Sequence, residues 1–257
     1  DAQESRGLGD VYKRQLHYAT ICSCAPNVVP DECSVWYYIR APKRKDVDEV
    51  YSWLVDCAKG AALMTQTKFD IEFLTGCSEV MPNDVLEKVM LQAYKDTGAP
   101  KFTPEDYEFA KKMAETYPEV LARDRRIMKE EYGVNGDDKF LCDVVFDKVI
   151  EDRLVAPGST DVGDVSHVVP TYQIYVAGQG IGCPGHSWQM TAYSGSHVGF
   201  ASMLCAAKVL GLSGLRLLEN PELVKEAWDN FHKNQTEPYV SPLPEGLVPD
   251  VEQVKEN

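Results

Sequence analysis

The sequence predicts an α/β chain built in two parts, and three observations lead there. Val47, Val50, Tyr51, Leu54, Val55, Ala58, Ala61 and Ala62 recur at helical spacing between runs of β-branched and aromatic residues, the pattern of a helix laid on a small sheet. From residue 81 onward, helix-start signals surround one apolar run, 172–177, whose tyrosine, isoleucine and valine content reads as a core strand. The 257 residues, 44% of them hydrophobic, suffice for one large domain or two modest ones to bury a core.

Taken in order, the first fifteen residues, DAQESRGLGDVYKRQ, have no apolar periodicity and read as a non-native leader. The fold then begins near Leu16, in mid-domain. Strands are expected at 17–24, 34–41 and 68–74, with Pro26 and Pro30 confining the first connection to a turn. The firm helix lies between the second and third strands. Asn83 or Asp84 can cap a helix carrying Val85, Leu86, Val89, Met90 and Ala93, and Thr103 before Pro104 starts another. The stretch 123–148 is charged, has turn chemistry at 133–138, and reads as an irregular solvated insertion. Beyond 172–177, helices are expected over 198–210 and from Asn220 and Pro221, followed by an acidic, proline-rich tail without regular structure. The chain therefore divides into a leader 1–15, a partial first domain 16–80, a larger part 81–235 and a tail 236–257, with no internal repeat.

The net charge of −14 argues against a nucleic-acid surface, which needs a basic patch to neutralise phosphates. The longest apolar runs are short for a membrane span and are broken by polar residues, and no secretory segment is visible, so the expected location is cytoplasmic, with no membrane partner. The eight cysteines lack paired CxxC spacing. Cys22 and Cys24 share one face of a strand and read as free thiols of a reducing compartment rather than as a redox or metal pair. On so acidic a surface an anionic ligand needs a local cation.

Two segments offer chemistry. The stretch GSTDVGDVSHVVPTYQIYVAGQGIGCPGHSWQ sets Asp161, Asp164, His167 and His186 around the apolar run, and its glycines allow a tight path that would bring His186 to a strand end, where clefts of open α/β sheets form. Earlier, Asn27 and Arg40 stand thirteen positions apart, with room for a strand, a turn and a second strand between them. A guanidinium grips a carboxylate through two parallel hydrogen bonds and an asparagine amide adds a donor, so the pair could hold an acidic substrate tail; the plainer alternative is a hairpin turn and a surface arginine. A serine-hydrolase reading of Ser159, Asp161 and His186 lacks the G-x-S-x-G elbow.

The phrases LHYATICSCAPNVVPDECSVWYYIRAP, KGAALMTQT, GSTDVGDVS and GCPGHSWQ resemble the metallo-amidohydrolase and peptidase family that contains aminoacylases, succinyl-diaminopimelate desuccinylase and indole-acetyl-amino-acid hydrolases. The resemblance runs over nearly all of the chain from Leu16, but only over the later part of the family's length. It implies the remnant of a βαββαβ lid or dimerisation domain, followed by the C-terminal part of a metallopeptidase-like α/β catalytic domain. It also implies hydrolysis of the amide of an N-acyl glutamate or similar N-acyl amino acid, with two divalent metals, zinc or manganese, per complete site. On this reading His186 is the one late metal ligand, Asn27 and Arg40 bind the substrate carboxylate, and Ser159 and Asp161 line the substrate. The remaining ligands and the glutamate general base belong to an earlier segment that this sequence does not contain, so no catalytic residue is expected here and the chain alone is expected to be inactive. The implied partner is a second copy or a related subunit, joined through the lid. The alternative function is non-catalytic dimerisation or acidic-peptide binding. Two departures stand out: His167 replaces an expected aromatic residue, and ICSCAPN replaces a glycine-containing turn.

Overall fold

The computed structural model describes residues 14–21, 27–146 and 158–246. Its contacts resolve into two units, each assembled from separated stretches: Asp1–Val80 with Pro157–His167 and Pro238–Asn257, and Met81–Ala156 with Val168–Glu237. The elements are β1 (Gln15–Ile21), β2 (Ser34–Arg40), α1 (Arg44–Thr65), α2 (Asp84–Thr97), α3 (Pro104–Ala114), α4 (Pro118–Glu130), α5 (Val162–Ser166), α6 (Trp188–Ser194), α7 (His197–Glu219) and α8 (Pro221–Asn234).

In the first unit β1 and β2 form an antiparallel hairpin whose register runs from Gln15 opposite Arg40 to Ile21 opposite Ser34. Cross-strand aromatics support it, with the Tyr18 and Tyr37 rings 6.2 Å apart. Helix α1 follows on β2 and ends at Gln66, which turns into the left-handed region (φ 56) and donates its N–H to Ala62 O. Arg14 reaches Asp46 at 2.9 Å and Glu49 at 3.2 Å, and Gln15 is already in β1. Of the leader expected over 1–15, Arg14 and Gln15 are therefore the described part, and its other residues lie outside those described, as do Cys22 and Cys24.

The strand expected at 68–74 does not form. A strand exists only where a second backbone accepts and donates its hydrogen bonds, and β1 with β2 is the only sheet among the described residues. Phe69, Ile71 and Leu74 accordingly stay exposed. Of the strands and helix expected over 16–80, the described residues form a hairpin and a helix.

The second unit is helical. Asn83 caps α2 by accepting from Leu86 N–H at 3.1 Å, while its own amide donates to Ala227 O of α8 at 2.8 Å, so one buried side chain starts one helix and ties it to another. Thr103 and Asp106 form a reciprocal capping box on α3, with Pro104 in its first turn. Helix α4 corrects the irregular reading of 123–148, whose last two residues lie outside those described: it continues to Glu130, because Leu121 and Met128 bury one face while the charged residues take the other. The turn beyond it is as expected, with Gly133 at φ 68.

The main core joins Ala110, Met113, Tyr117, Leu121, Leu141 and Tyr193. Tyr193 is fully buried, and its hydroxyl lies 3.0 Å from that of Tyr117, which satisfies two polar groups inside an apolar cluster. Burial, helped by that neighbour, pushes the Tyr193 phenol far up, so both phenols stay neutral.

The strand expected at 172–177 is absent too. The run has no regular structure and forms no ladder, and among the described residues an isolated bridge joins Leu141 to Gly180 nearby. Its side chains pack without a ladder: Ile174 and Val176 lie on the cluster of Ala93, Cys205 and Val209. Helix α7 differs from expectation as well. Among the described residues it is long and apolar enough to cross a membrane by length and composition, with mean hydropathy 1.6. Lys208, Arg216 and the serines Ser202 and Ser213 break its apolar run into short pieces, yet averaged along the helix it stays apolar. Val198, Ser202, Cys205, Val209 and Ser213 are its buried stripe, whereas Phe200, Met203, Leu204 and Leu210 are exposed. Cys57, Cys77, Cys142, Cys183 and Cys205 are free, but Cys33 is disulfide-bonded, which the free-thiol reading of the N-terminal cysteines does not anticipate.

Candidate functional site

In the first unit Arg40 ends β2, opposite Gln15, and is exposed with no ion pair among the described residues. Asn27 is exposed in the turn that follows the other end of the ladder. The six residue steps from Ser34 to Arg40 span roughly 20 Å of strand. The hairpin alone therefore presents the two groups at different places along its length, and they meet on one ligand only if the 27–33 connection folds back along the ladder.

The segment 158–167 belongs to the same unit, and its acidic and imidazole side chains divide into two sets. Ser159 and Asp161 are exposed, and among the described residues the Asp161 carboxylate receives only the Thr160 hydroxyl, at 3.5 Å. Asp164 is engaged by its own chain. Its Oδ1 accepts the Ser78 hydroxyl at 2.7 Å and the Tyr239 hydroxyl at 3.1 Å, and its Oδ2 accepts Ser78 N–H at 3.3 Å. His167 donates Nε2–H to Glu79 O at 3.0 Å and stacks on Tyr239 with ring centroids 6.2 Å apart. The sequence grouped Asp164 and His167 with ligand-binding candidates. The structure commits both to internal contacts, with partners so distant in the chain that no local pattern signals them.

In the second unit His186 sits in a turn built by close packing. A side chain on Gly182 would come within 2.6 Å of the Leu121 backbone, so that turn needs glycine. Ser187 then caps α6, accepting Met190 N–H at 3.3 Å and donating to Pro184 O at 2.7 Å. Between them His186 takes φ 53, a left-handed conformation uncommon for a residue with a Cβ, and is exposed. Trp188, two residues on, is 61% exposed and so is not the packing residue its apolar ring would suggest. An exposed imidazole is a competent metal donor, but among the described residues no three histidine, cysteine, aspartate or glutamate side chains come together around a metal-sized space. The described residues thus do not compose a metal site by themselves.

His197, the next histidine in the chain after His186, is tied to the second unit's own helices. Its Nδ1 meets Asp106 Oδ2 at 2.8 Å, joining the start of α7 to the capping box of α3. Burial alone would push the Asp106 carboxyl up, but donors from Thr103 N–H, His197 and the Thr103 hydroxyl outweigh it and hold the carboxyl below its usual range.

No protein-family model matches the chain. Curated relatives align with most of it, and those compared are hydrolases or dipeptidases by name, so the chain is similar to amidohydrolases and peptidases. One relative, a p-aminobenzoyl-glutamate hydrolase subunit of Escherichia coli (strain K12), is 31% identical over 253 residues, covering 93% of this chain and 52% of its own. The Xaa-Arg dipeptidases of Mus musculus and Homo sapiens are 27% and 25% identical, over 80% and 84% of this chain and 37% and 39% of theirs. The chain thus spans about half, or less, of the length of the curated relatives it matches.

Proposed function

We propose that this chain supplies the carboxylate-binding part of an amidohydrolase that splits p-aminobenzoyl-glutamate or a similar N-acyl amino acid and releases glutamate. The likeness across 93% of the chain to a subunit of p-aminobenzoyl-glutamate hydrolase carries this reading. The exposed Arg40, in a protein of net charge −14, supports it as a local cation for an acidic substrate. Arg40 takes the α-carboxylate through its paired N–H groups, and Asn27 adds an amide donor where the 27–33 connection folds back along the ladder. Ser159 and Asp161, exposed on their turn, form part of the substrate wall.

His186 is offered as one ligand of a divalent metal, zinc or manganese, whose further ligands the described residues do not assemble. Such a metal activates water and polarises the scissile carbonyl when bound. The work assigned to this chain's own residues is to bind and orient. The first unit is also the proposed dimerisation surface, toward a second copy or a related subunit. That assignment draws on the word subunit in the relative's name and on Trp36, Tyr37 and Tyr38, which leave β2 with an exposed aromatic surface.

The test is a binding comparison between p-aminobenzoyl-glutamate, glutamate and p-aminobenzamide, which keeps the aroyl half as an amide and carries no carboxylate. Recognition through the glutamate half predicts that the first two bind and compete and that p-aminobenzamide does not. Equal binding of p-aminobenzamide would remove Arg40 and Asn27 from the substrate site.

A further inference from the structure

Among the described residues, the segment that carries Ser159 and Asp161 is anchored at its later end. We propose that Asp164 is the positioning residue that holds this turn against the rest of its unit, leaving Ser159 and Asp161 free to face substrate; this rests on their assignment to the substrate wall. Three donors converge on the Asp164 carboxylate, two from Ser78, 86 residues earlier in the chain, and one from Tyr239, 75 residues later. A carboxylate suits the place because it accepts at both oxygens and carries no donor to oppose Ser78 N–H.

The surrounding contacts point the same way. Gly163 lies so close to Ser78 O that no side chain could stand there, which brings α5 within reach of Ser78. The fully buried Ser166 donates to Gly163 O at 2.6 Å, tightening the same turn from within. His167 closes the end by donating to Glu79 O and stacking on the same Tyr239 that Asp164 accepts from. Every anchor thus falls between residues 163 and 167, whereas Ser159 and Asp161 meet no distant partner among the described residues.

Amide hydrogen exchange over 158–166, read beside the affinity for p-aminobenzoyl-glutamate, tests this in the full chain. Asp164→Ala removes all three acceptor contacts and should speed exchange there on the order of tenfold or more while leaving α1 unchanged. Asp164→Asn keeps an oxygen for both hydroxyls and loses only the Ser78 N–H contact, so it should restore most of the protection. Tyr239→Phe, a gentler change should Asp164→Ala fold poorly, should loosen the segment partway. Affinity should fall in the same order. Ser159→Ala, which touches no anchor, tests the wall assignment separately: it should weaken binding with exchange unchanged. Unaltered exchange in Asp164→Ala and Tyr239→Phe would overturn the positioning role. Faster exchange with unaltered affinity, together with a silent Ser159→Ala, would overturn the proposal through the failure of the substrate wall instead.

Discussion

Gly163 is packed against the carbonyl oxygen of Ser78 so tightly that a Cβ would overlap it. Because the obstacle is backbone, the clash cannot be relieved by a rotamer change. Gly163→Ala should destabilise the first unit by about 1–3 kcal/mol, as overpacking of a close contact does. A shift of the denaturation midpoint at constant slope is the expected result. Gly158, which has open space around it, is the control, and its alanine variant should leave the midpoint nearly unchanged.

Asn83 gives a comparable prediction in the second unit. Its side chain is buried, caps α2 and donates to Ala227 O. Asn83→Ala removes the cap and strands a buried carbonyl, a loss of about 1–3 kcal/mol. Asn83→Asp retains the cap acceptor but not the donor to Ala227, so its stability in chemical denaturation should fall between the two.

The sign of the pH dependence at Asp106 follows from its lowered folded-state pKa. The unfolded chain binds the proton more readily than the folded one, so this stabilisation is fully present above the ordinary aspartate value of about 4 and is lost as pH falls through the lower folded value. Asp106→Asn should therefore be less stable than the parent at neutral pH, with the difference shrinking below about pH 4. A constant difference across acid titrations would show that ionisation of Asp106 contributes nothing.

At His186 conformation and function separate. Its φ of 53 costs an ordinary residue on the order of 1–2 kcal/mol, which glycine avoids at a smaller entropic cost of its own. His186→Gly should leave thermal stability equal or slightly higher, whereas His186→Val should lower it. If His186 is a metal ligand, both variants should weaken zinc or manganese binding alike, which equilibrium dialysis would show.

The helices were legible in the sequence because their signals are local. Asn83, Thr103 with Pro104 and Asn220 with Pro221 mark starts that the structure places within a residue. Helix α4 was obscured because its arginines and lysine crowd a segment whose two buried residues, Leu121 and Met128, stand seven positions apart. The segments 68–74 and 172–177 have strand-like composition, but pairing is a property of two backbones and composition describes one. Of the candidate site, the residue types were legible and their commitments were not. Asp164 and Asp161 look alike in GSTDVGDVS, yet only Asp164 is held by Ser78 and Tyr239, and those lie 86 and 75 residues away.

The most direct test of the account is the affinity of the chain for p-aminobenzoyl-glutamate in the parent, Arg40→Lys and Arg40→Ala forms. Arg40 is exposed at the end of β2, so its replacement should leave folding intact and change only the ligand contact. A bidentate grip predicts that Arg40→Ala loses on the order of tenfold or more in affinity and that Arg40→Lys, which offers a point charge without the fork, recovers only part of it. Equal affinity in all three forms would contradict carboxylate recognition by this arginine and with it the proposed role of the chain.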